Sequence, residues 1–527
     1  VDGGDGMTRL APIDLAVLGV YAVGIFSLAQ FVSRRKGGET QGSADYFLAS
    51  RSLPWWAIGA SLIAANISAE QIVGMSGSGF AIGLAISSYE WMAALTLLIV
   101  GKYFLPIFLD NKIYTMPQFL EYRYGTRIRT LMAVFWLGLY VFVNLTSIIW
   151  LGSIAVNQVS GMNQELALAL LGGFALLYQF WGGLKAVALT DIVQVTLLFA
   201  GGVVISALTL GKIGEGRGIV AGFQILAARA PDHFHMILAR DNPYYKDLPG
   251  ISVLVGGLWV MNLSYWGFNQ YIIQRALAAK SLAEAQRGVV FAAYLKLLMP
   301  FIIVLPGITA VLLAPGLERP DQAYPTVMAL LPPGLLGLVF AALVAAIVAS
   351  TASKINSIAT IFTLDIWNSG VRRHSERQLV RVGRIAAVTA ILIAIVTARP
   401  LLGSFDQAFQ YIQEYTGFFT PGIVVIFLLG LFWKRATETA ALSAAVGSFV
   451  LSLALKLGVP ALPFMDRVGA VFVAAFILAC AVSLAKPAGE SGNRIETATV
   501  DYSTSRGFAV GSAGVVMILA ALYATWW

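Results

Sequence analysis

Apolar runs of about 20 residues recur along this 527-residue chain and leave few folds open to it. A helix needs about that length to cross the hydrocarbon core of a bilayer. Reading with that ruler predicts fourteen spans. They lie at about 13–31, 53–80, 85–109, 129–157, 163–182 and 187–211, then 250–274, 286–314, 334–366, 380–398 and 404–433, and finally 438–458, 463–485 and 507–527. The expected fold class is therefore an all-α polytopic membrane protein with 14 transmembrane helices. The first run is long enough to span and lacks a small-residue cleavage site, so it reads as a helix and not as a signal peptide. Val1 to Gly6, before Met7, read as an expression scar.

Loop charges agree with this count. With the N-terminus outside, the inside segments hold 22 of the 35 lysines and arginines. The outside segments hold ten, five of them in the long 212–249 loop, where the charge rule has little force. Both termini are expected outside. Only 12% of residues are charged, about half the share of a soluble domain. That excludes a soluble enzyme, a disordered regulator and a fibrous protein. The single cysteine, Cys480, excludes a disulfide framework, and His233, His235 and His374 leave little for haem or zinc. The net charge of +8 fits basic inside loops and not nucleic-acid binding.

Two spans read as broken. The second carries Asn66, Ser68, Glu70 and Gln71 at membrane depth, and the seventh carries Asn262, Ser264, Asn269 and Gln270. They lie five spans apart. An odd-numbered unit repeated once in a membrane is inverted the second time, the layout of transporters with a midplane site at broken helices. The organisation expected is a lone helix at 12–32, a five-helix repeat at 53–211, an extracellular loop at 212–249, a second repeat at 250–433 and three helices at 438–527.

Polar side chains in hydrocarbon mark the site candidates: Asn66, Glu70, Gln71, Glu90, Asn262, Gln270, Lys296 and Gln413. Any single amide serves equally well as glue between helices, worth about 0.6 kcal/mol. Lys296 differs, because a charge at the bilayer centre costs at least ~2.5 kcal/mol and needs a partner or a wet cavity. Glu90 either pairs with it or lies at the outer interface. Amides, carboxylates and one ammonium beside Tyr and Trp suit a polyhydroxyl ligand, since hydroxyls both donate and accept. Asp191 is either a helix cap with Thr190 or part of a cation path. Ser350, Thr351 and Ser353 either allow close packing or bind a hard cation. Lys354, one turn on from Ser350, either snorkels to the cytoplasmic side or sets a fixed charge near that hydroxyl.

Several runs carry a family resemblance. They are Ser52-Leu53-Pro54-Trp55-Trp56-Ala57, Ala64-Ala65-Asn66-Ile67-Ser68-Ala69-Glu70-Gln71, Tyr89-Glu90-Trp91-Met92 and Phe142-Val143-Asn144-Leu145-Thr146-Ser147, with Tyr265-Trp266-Gly267-Phe268-Asn269-Gln270-Tyr271-Ile272-Ile273-Gln274-Arg275 and Gln410-Tyr411-Ile412-Gln413-Glu414-Tyr415-Thr416-Gly417. Together they resemble the sodium/glucose cotransporters of the solute:sodium symporter family, its bacterial sodium/galactose members above all. The resemblance spans nearly the whole chain. It implies a LeuT-type five-plus-five inverted repeat, and a sugar site at Asn66, Gln71, Glu90, Asn262, Lys296 and Gln413 with Tyr265 stacking on the pyranose. It also implies an inner gate of Met75, Tyr89, Tyr265, Trp266 and Phe409, and a sodium site at Ala64, Ile67, Ala346 and Ser350.

Two positions depart from the family pattern. Ala93 replaces a serine of the sugar site, and Ala349-Ser350 replaces a serine pair of the sodium site. One of five expected oxygens is thereby missing, with ordered water, Thr351 or Asp191 as the substitutes. The function expected is sodium-driven symport of a hexose, galactose or glucose, by alternating access in a bacterial inner membrane. The alternative is a sodium-independent or proton-coupled sugar transporter, motivated by Ala349 and Lys354. Sodium is the coupling ion and no cofactor is expected. The partners are sugar, sodium and lipid, without nucleic acid, for a monomer or weak dimer. A membrane enzyme acting on a lipid-linked sugar finds no support, because Glu70 and Glu90 alone make a weak acid–base case.

Overall fold

The computed structural model describes residues 10–33, 54–113, 115–181, 184–368, 375–485 and 493–527. Side chains at 25–26, 28–33, 178–192 and 376 lie outside the description. The readings of residues 1–6, His374, Thr190 and Asp191 therefore lie outside the described residues. Every regular element described is a helix.

Nine helices are long and apolar enough to cross a membrane, and two bent pairs raise that to eleven among the described residues. The three further expected spans fall on Pro12–Ser33, on Gln164–Trp181 and on the interrupted pair Gly257–Gly267 and Gln270–Leu277. The Leu282–Leu313 helix is the hub. It packs against Trp55–Asn66, Met75–Ile82, Ser88–Ile99 and Leu184–Ile213. Close approach at the hub needs glycine: a Cβ on Gly307 would lie 2.0 Å from the backbone oxygen of Ser76. The lone helix Pro12–Ser33 is pinned to another span by buried Asp14. Its Oδ1 accepts from the amides of Gly334 and Gly337 at 2.7 and 2.8 Å, at the start of Leu335–Trp367.

The breaks have local causes. Trp55–Asn66 ends at Ile67, whose backbone is extended, and the chain restarts at an angle of 68° in Glu70–Ile82. Ser68 starts the second half. Its Oγ accepts from the Glu70 amide at 3.2 Å, and its carbonyl accepts from both Gln71 and Ile72. The amide of Gln71, which would bond the Ile67 carbonyl in a continuous helix, is thus diverted. In the seventh span the break falls at Phe268 and Asn269, and Asn269 Oδ1 caps the restart at Tyr271 N, 3.2 Å away. A third break, not expected, bends Ala408–Thr416 from Thr420–Phe432 by 43°. Its cause is Pro421, which has no amide to bond the Gly417 carbonyl. Buried Asp321 fixes the start of this pair by accepting from the Ala408 amide at 2.9 Å.

The long loop folds onto the helices. His233, expected to be solvated, is half-buried, with Nε2 3.0 Å from the Phe80 carbonyl. It sits against Gly83, whose φ of +88° requires glycine and where a Cβ would meet the His233 backbone at 2.5 Å. His235 is exposed, as expected. Further along, half-buried Asp247 lies near Asp406 and Glu414. Burial, and then those two negative charges, push its pKa up to about 6, against a partial offset from Lys246.

The sign of that shift sets an expectation. A carboxyl raised above its unfolded value of about 3.9 binds its proton more tightly when folded, so stability falls as pH rises from about 4 through about 6. Asp247→Asn should melt higher than the parent at pH 7 and within error of it at pH 4. Equal melting temperatures at both values would show that the carboxyl carries no such strain.

Candidate functional site

The broken segment at 67–69 meets the hub helix at a buried ion pair. Lys296 and Glu90 are 1% and 2% exposed, and Lys296 Nζ lies 2.5 Å from Glu90 Oε2. Lys296 also donates to Asn66 Oδ1, and Gln71 Nε2 donates to the other Glu90 oxygen. Asn66 Nδ2 in turn donates to the Tyr265 hydroxyl at 3.1 Å. The Lys296 ammonium lies 5.0 Å from the centroid of the Trp266 ring. The charge that the sequence required to be paired is therefore paired, hydrogen-bonded and set against an aromatic face. Glu90 pairs with it and does not lie at an interface.

These residues line one cavity of about 160 Å³ together with Asn262, Gln413, Ala93 and Asn144. That is below the roughly 300–1,000 Å³ of drug-sized sites, and suits a small polar ligand. The cavity thus brings together all seven residues assigned to the sugar site. They differ in what they offer. Asn262 Nδ2 is spent on its own helix, donating to the Leu258 carbonyl at 3.1 Å. Half-buried Gln413 makes no side-chain hydrogen bond among the described residues, so its amide is free for a ligand. Gln270 is not in the cavity. Its Oε1 accepts from the Met116 amide at 2.6 Å and caps a neighbouring helix.

The five residues assigned to the gate all line this cavity. They make two groups at the cavity. Tyr89 and Phe409 meet edge to face at 5.1 Å, next to buried Met75. Tyr265 and Trp266 pair separately at 5.1 Å and hold to Asn66, on the other side of the break. The reason is the fold of the broken span, which puts Asn66 and Met75 on opposite arms of the bend.

A second acid–base set lines the same cavity. Glu70 Oε2 accepts from the Ser68 hydroxyl at 3.5 Å, and its Oε1 is buried with no partner among the described residues. The Lys354 ammonium lies between the rings of Tyr271 and Tyr140, 4.6 and 4.8 Å from their centroids. It therefore turns inward and does not snorkel. Tyr271 donates to the Ala65 carbonyl just before the break.

The residues assigned to sodium line a smaller cavity. Ala64 and Ile67 come from the break, and Ala346, Ala349, Ser350 and Ser353 come from one face of the Leu335–Trp367 helix, at spacings of three, four and seven. Thr351, a proposed substitute ligand, is not there. It is fully buried on another face and donates to the Ile347 carbonyl at 2.7 Å. Gln194 is there instead, a residue that the sequence reading missed. Its only sequence signal is an amide within the apolar 187–211 run.

Comparison with known proteins agrees with this architecture. The model of the sodium:solute symporter family matches residues 46–447. A sodium/glucose cotransporter of Vibrio parahaemolyticus is 48% identical over 98% of this chain and 99% of its own length. Sodium/glucose cotransporter 4 of Homo sapiens is 35% identical over 87% of this chain and 71% of its own. Sodium/myo-inositol cotransporter 2 of Sus scrofa is 34% identical over 84% and 70%. Among solved structures, a substrate-bound, outward-open Na⁺-coupled sialic acid symporter aligns with TM-score 0.76 at 23% identity, over 92% of this chain and all of that one. Mhp1, a nucleobase-cation-symport-1 family transporter, aligns with TM-score 0.54 at 13% identity, over 90% and 99%. Both show the fold. The chain belongs to the sodium:solute symporter family. It is a membrane transporter of LeuT-type fold and not an enzyme.

The buried pair allows a stability test. Removing one partner of a buried ion pair leaves the other charge uncompensated, at a cost of about 3–5 kcal/mol. Lys296→Met and Glu90→Gln should each lower the melting temperature in detergent, and Lys296→Met combined with Glu90→Gln should lower it less than Lys296→Met alone. Additive losses would mean that the two groups do not act as a pair.

Proposed function

We propose that the chain is a sodium-driven symporter of a hexose, galactose or glucose, working by alternating access in a bacterial cytoplasmic membrane as a monomer or weak dimer. The observation that carries this reading is the single break at 67–69. Its side chains Asn66 and Gln71 reach the larger cavity, while Ala64 and Ile67 line the smaller one. The name of the 48% identical relative supports sugar and sodium as the two ligands.

In this reading the sugar hydroxyls bond Asn66, Gln71, Glu90, Asn262, Lys296 and Gln413, and Tyr265 stacks on the ring. Met75, Tyr89 and Phe409 close the route on one side, and Tyr265 and Trp266 close it on the other. Sodium sits at Ala64, Ile67, Ala346 and Ser350. It ties the broken span to the Leu335–Trp367 helix and stabilises the outward-open state. On release into a low-sodium cytoplasm the tie loosens and Tyr265 swings away. The two five-helix repeats at 53–211 and 250–433 rock about this site. They are framed by the 12–32 helix and the three helices at 438–527, with both termini outside. A second reading, sodium-independent or proton-coupled transport, is favoured by Ala349 and by the Lys354 ammonium in the same cavity as Glu70.

The test is radiolabelled galactose uptake into proteoliposomes, with unlabelled hexoses as competitors. Accumulation above equilibrium only under an inward sodium gradient is the expected result. Saturable uptake that merely equilibrates, regardless of sodium, would favour the second reading. Gln413→Ala loses hydrogen bonds of about 0.5–1.5 kcal/mol each. It should raise the half-saturating sugar concentration about tenfold or abolish uptake, with an unchanged melting temperature. Parent-like uptake would remove Gln413 from the sugar site.

A further inference from the structure

The smaller cavity presents an oxygen deficit and, beside it, an unused oxygen. The break contributes Ala64 and Ile67, and the facing helix contributes Ala346, Ser350 and Ser353, while Ala349 brings no hydroxyl. Hard cations are held by the number of oxygens around them. Thr351 cannot make up the difference, because its hydroxyl is committed to Ile347 on another face. Gln194, from the Leu184–Ile213 helix, lines this cavity. It is 2% exposed, and its Oε1 is buried with no partner among the described residues. Burying such an acceptor unsatisfied is costly, so it calls for a ligand. The cavity volume of about 20 Å³ holds one water-sized occupant, such as a water or a dehydrated monovalent cation.

We propose that Gln194 supplies a side-chain oxygen to the cation in this cavity, in place of the hydroxyl that Ala349 lacks. This rests on the sodium-coupled reading above and adds a third element to it. The cation then ties together the broken span, the Leu335–Trp367 helix and the Leu184–Ile213 helix. The competing account is local. Arg275 also lines the cavity, its Nη1 donates to Ser61 Oγ at 2.5 Å, and its Nε is buried without a partner among the described residues. One water could bridge that Nε to Gln194, giving the amide a purely structural role.

The two accounts differ in their response to sodium. The full-length protein is titrated with sodium chloride without sugar, at constant ionic strength with choline chloride, following tryptophan fluorescence and melting temperature. The sodium dependence of galactose uptake is measured in parallel. For Gln194→Ala the half-maximal sodium concentration should rise tenfold or more in all three readouts. Adding Ala349→Ser to it should bring that concentration back toward the parent value. Gln194→Glu keeps an oxygen in place and should respond at or below the parent concentration, which preserves the test if the alanine variant does not fold. A parent-like sodium response of Gln194→Ala would overturn the proposal. So would a lower melting temperature that Ala349→Ser does not correct and that comes with unchanged sodium dependence, the result expected of a water bridge to Arg275. If the parent protein itself ignores sodium in every readout, the symport reading fails, and the proposal fails with it for a separate and visible reason.

Discussion

A lysine in the middle of a membrane helix organises this molecule. Lys296 sits on the hub helix at 1% exposure, where an unpaired charge would be costly. Its solution is Glu90, and each member recruits a residue of the broken span: Asn66 for the ammonium and Gln71 for the carboxylate. The two arms of the bend are thereby pinned to the same ion pair from either side. The glycine at 307 lets the hub helix come close enough to the Ser76 backbone for this to happen. Geometry around the break is thus set by an electrostatic requirement, and helix propensity plays little part.

The same break leaves carbonyls that a continuous helix would have used. Gln71 and Ile72 both bond Ser68, so the Ile67 carbonyl is passed over at the edge of the smaller cavity. Residues 66 and 71 line the larger cavity while residues 64 and 67 line the smaller one. Any ligand that straightens or fixes this segment acts on both sites at once. Linkage then demands that each ligand change the other's affinity by the same factor. Tyr271 strengthens the connection, because it lines both cavities and bonds the Ala65 carbonyl between them.

Much of this is legible in the sequence, for physical reasons that differ by residue. Apolar length places the helices, and the cost of polar groups in hydrocarbon singles out Asn66, Gln71, Glu90 and Lys296. Their partners follow because a buried charge has few choices. The third break is harder to read, since Gly417 and Pro421 occur in a span that is otherwise apolar and helical. Gln270 shows the limit of polarity as a guide: its amide caps a helix and lines neither cavity. Thr351 shows the same for hydroxyls, which in a helix often bond their own backbone. Gln194 is nearly silent in the sequence, because its meaning depends on which helix faces it. The split of the gate residues into two groups, and the docking of His233 onto Phe80, likewise arise from the bend and the loop fold, which no local pattern encodes.

The claim at the centre of this account is that one broken segment serves two ligands. It is tested most directly by equilibrium binding of galactose to the purified protein across a sodium series, and of sodium across a galactose series. The account requires sodium to tighten galactose binding and galactose to tighten sodium binding by the same factor. Galactose affinity that is identical with and without sodium, in a protein that binds both, would contradict it.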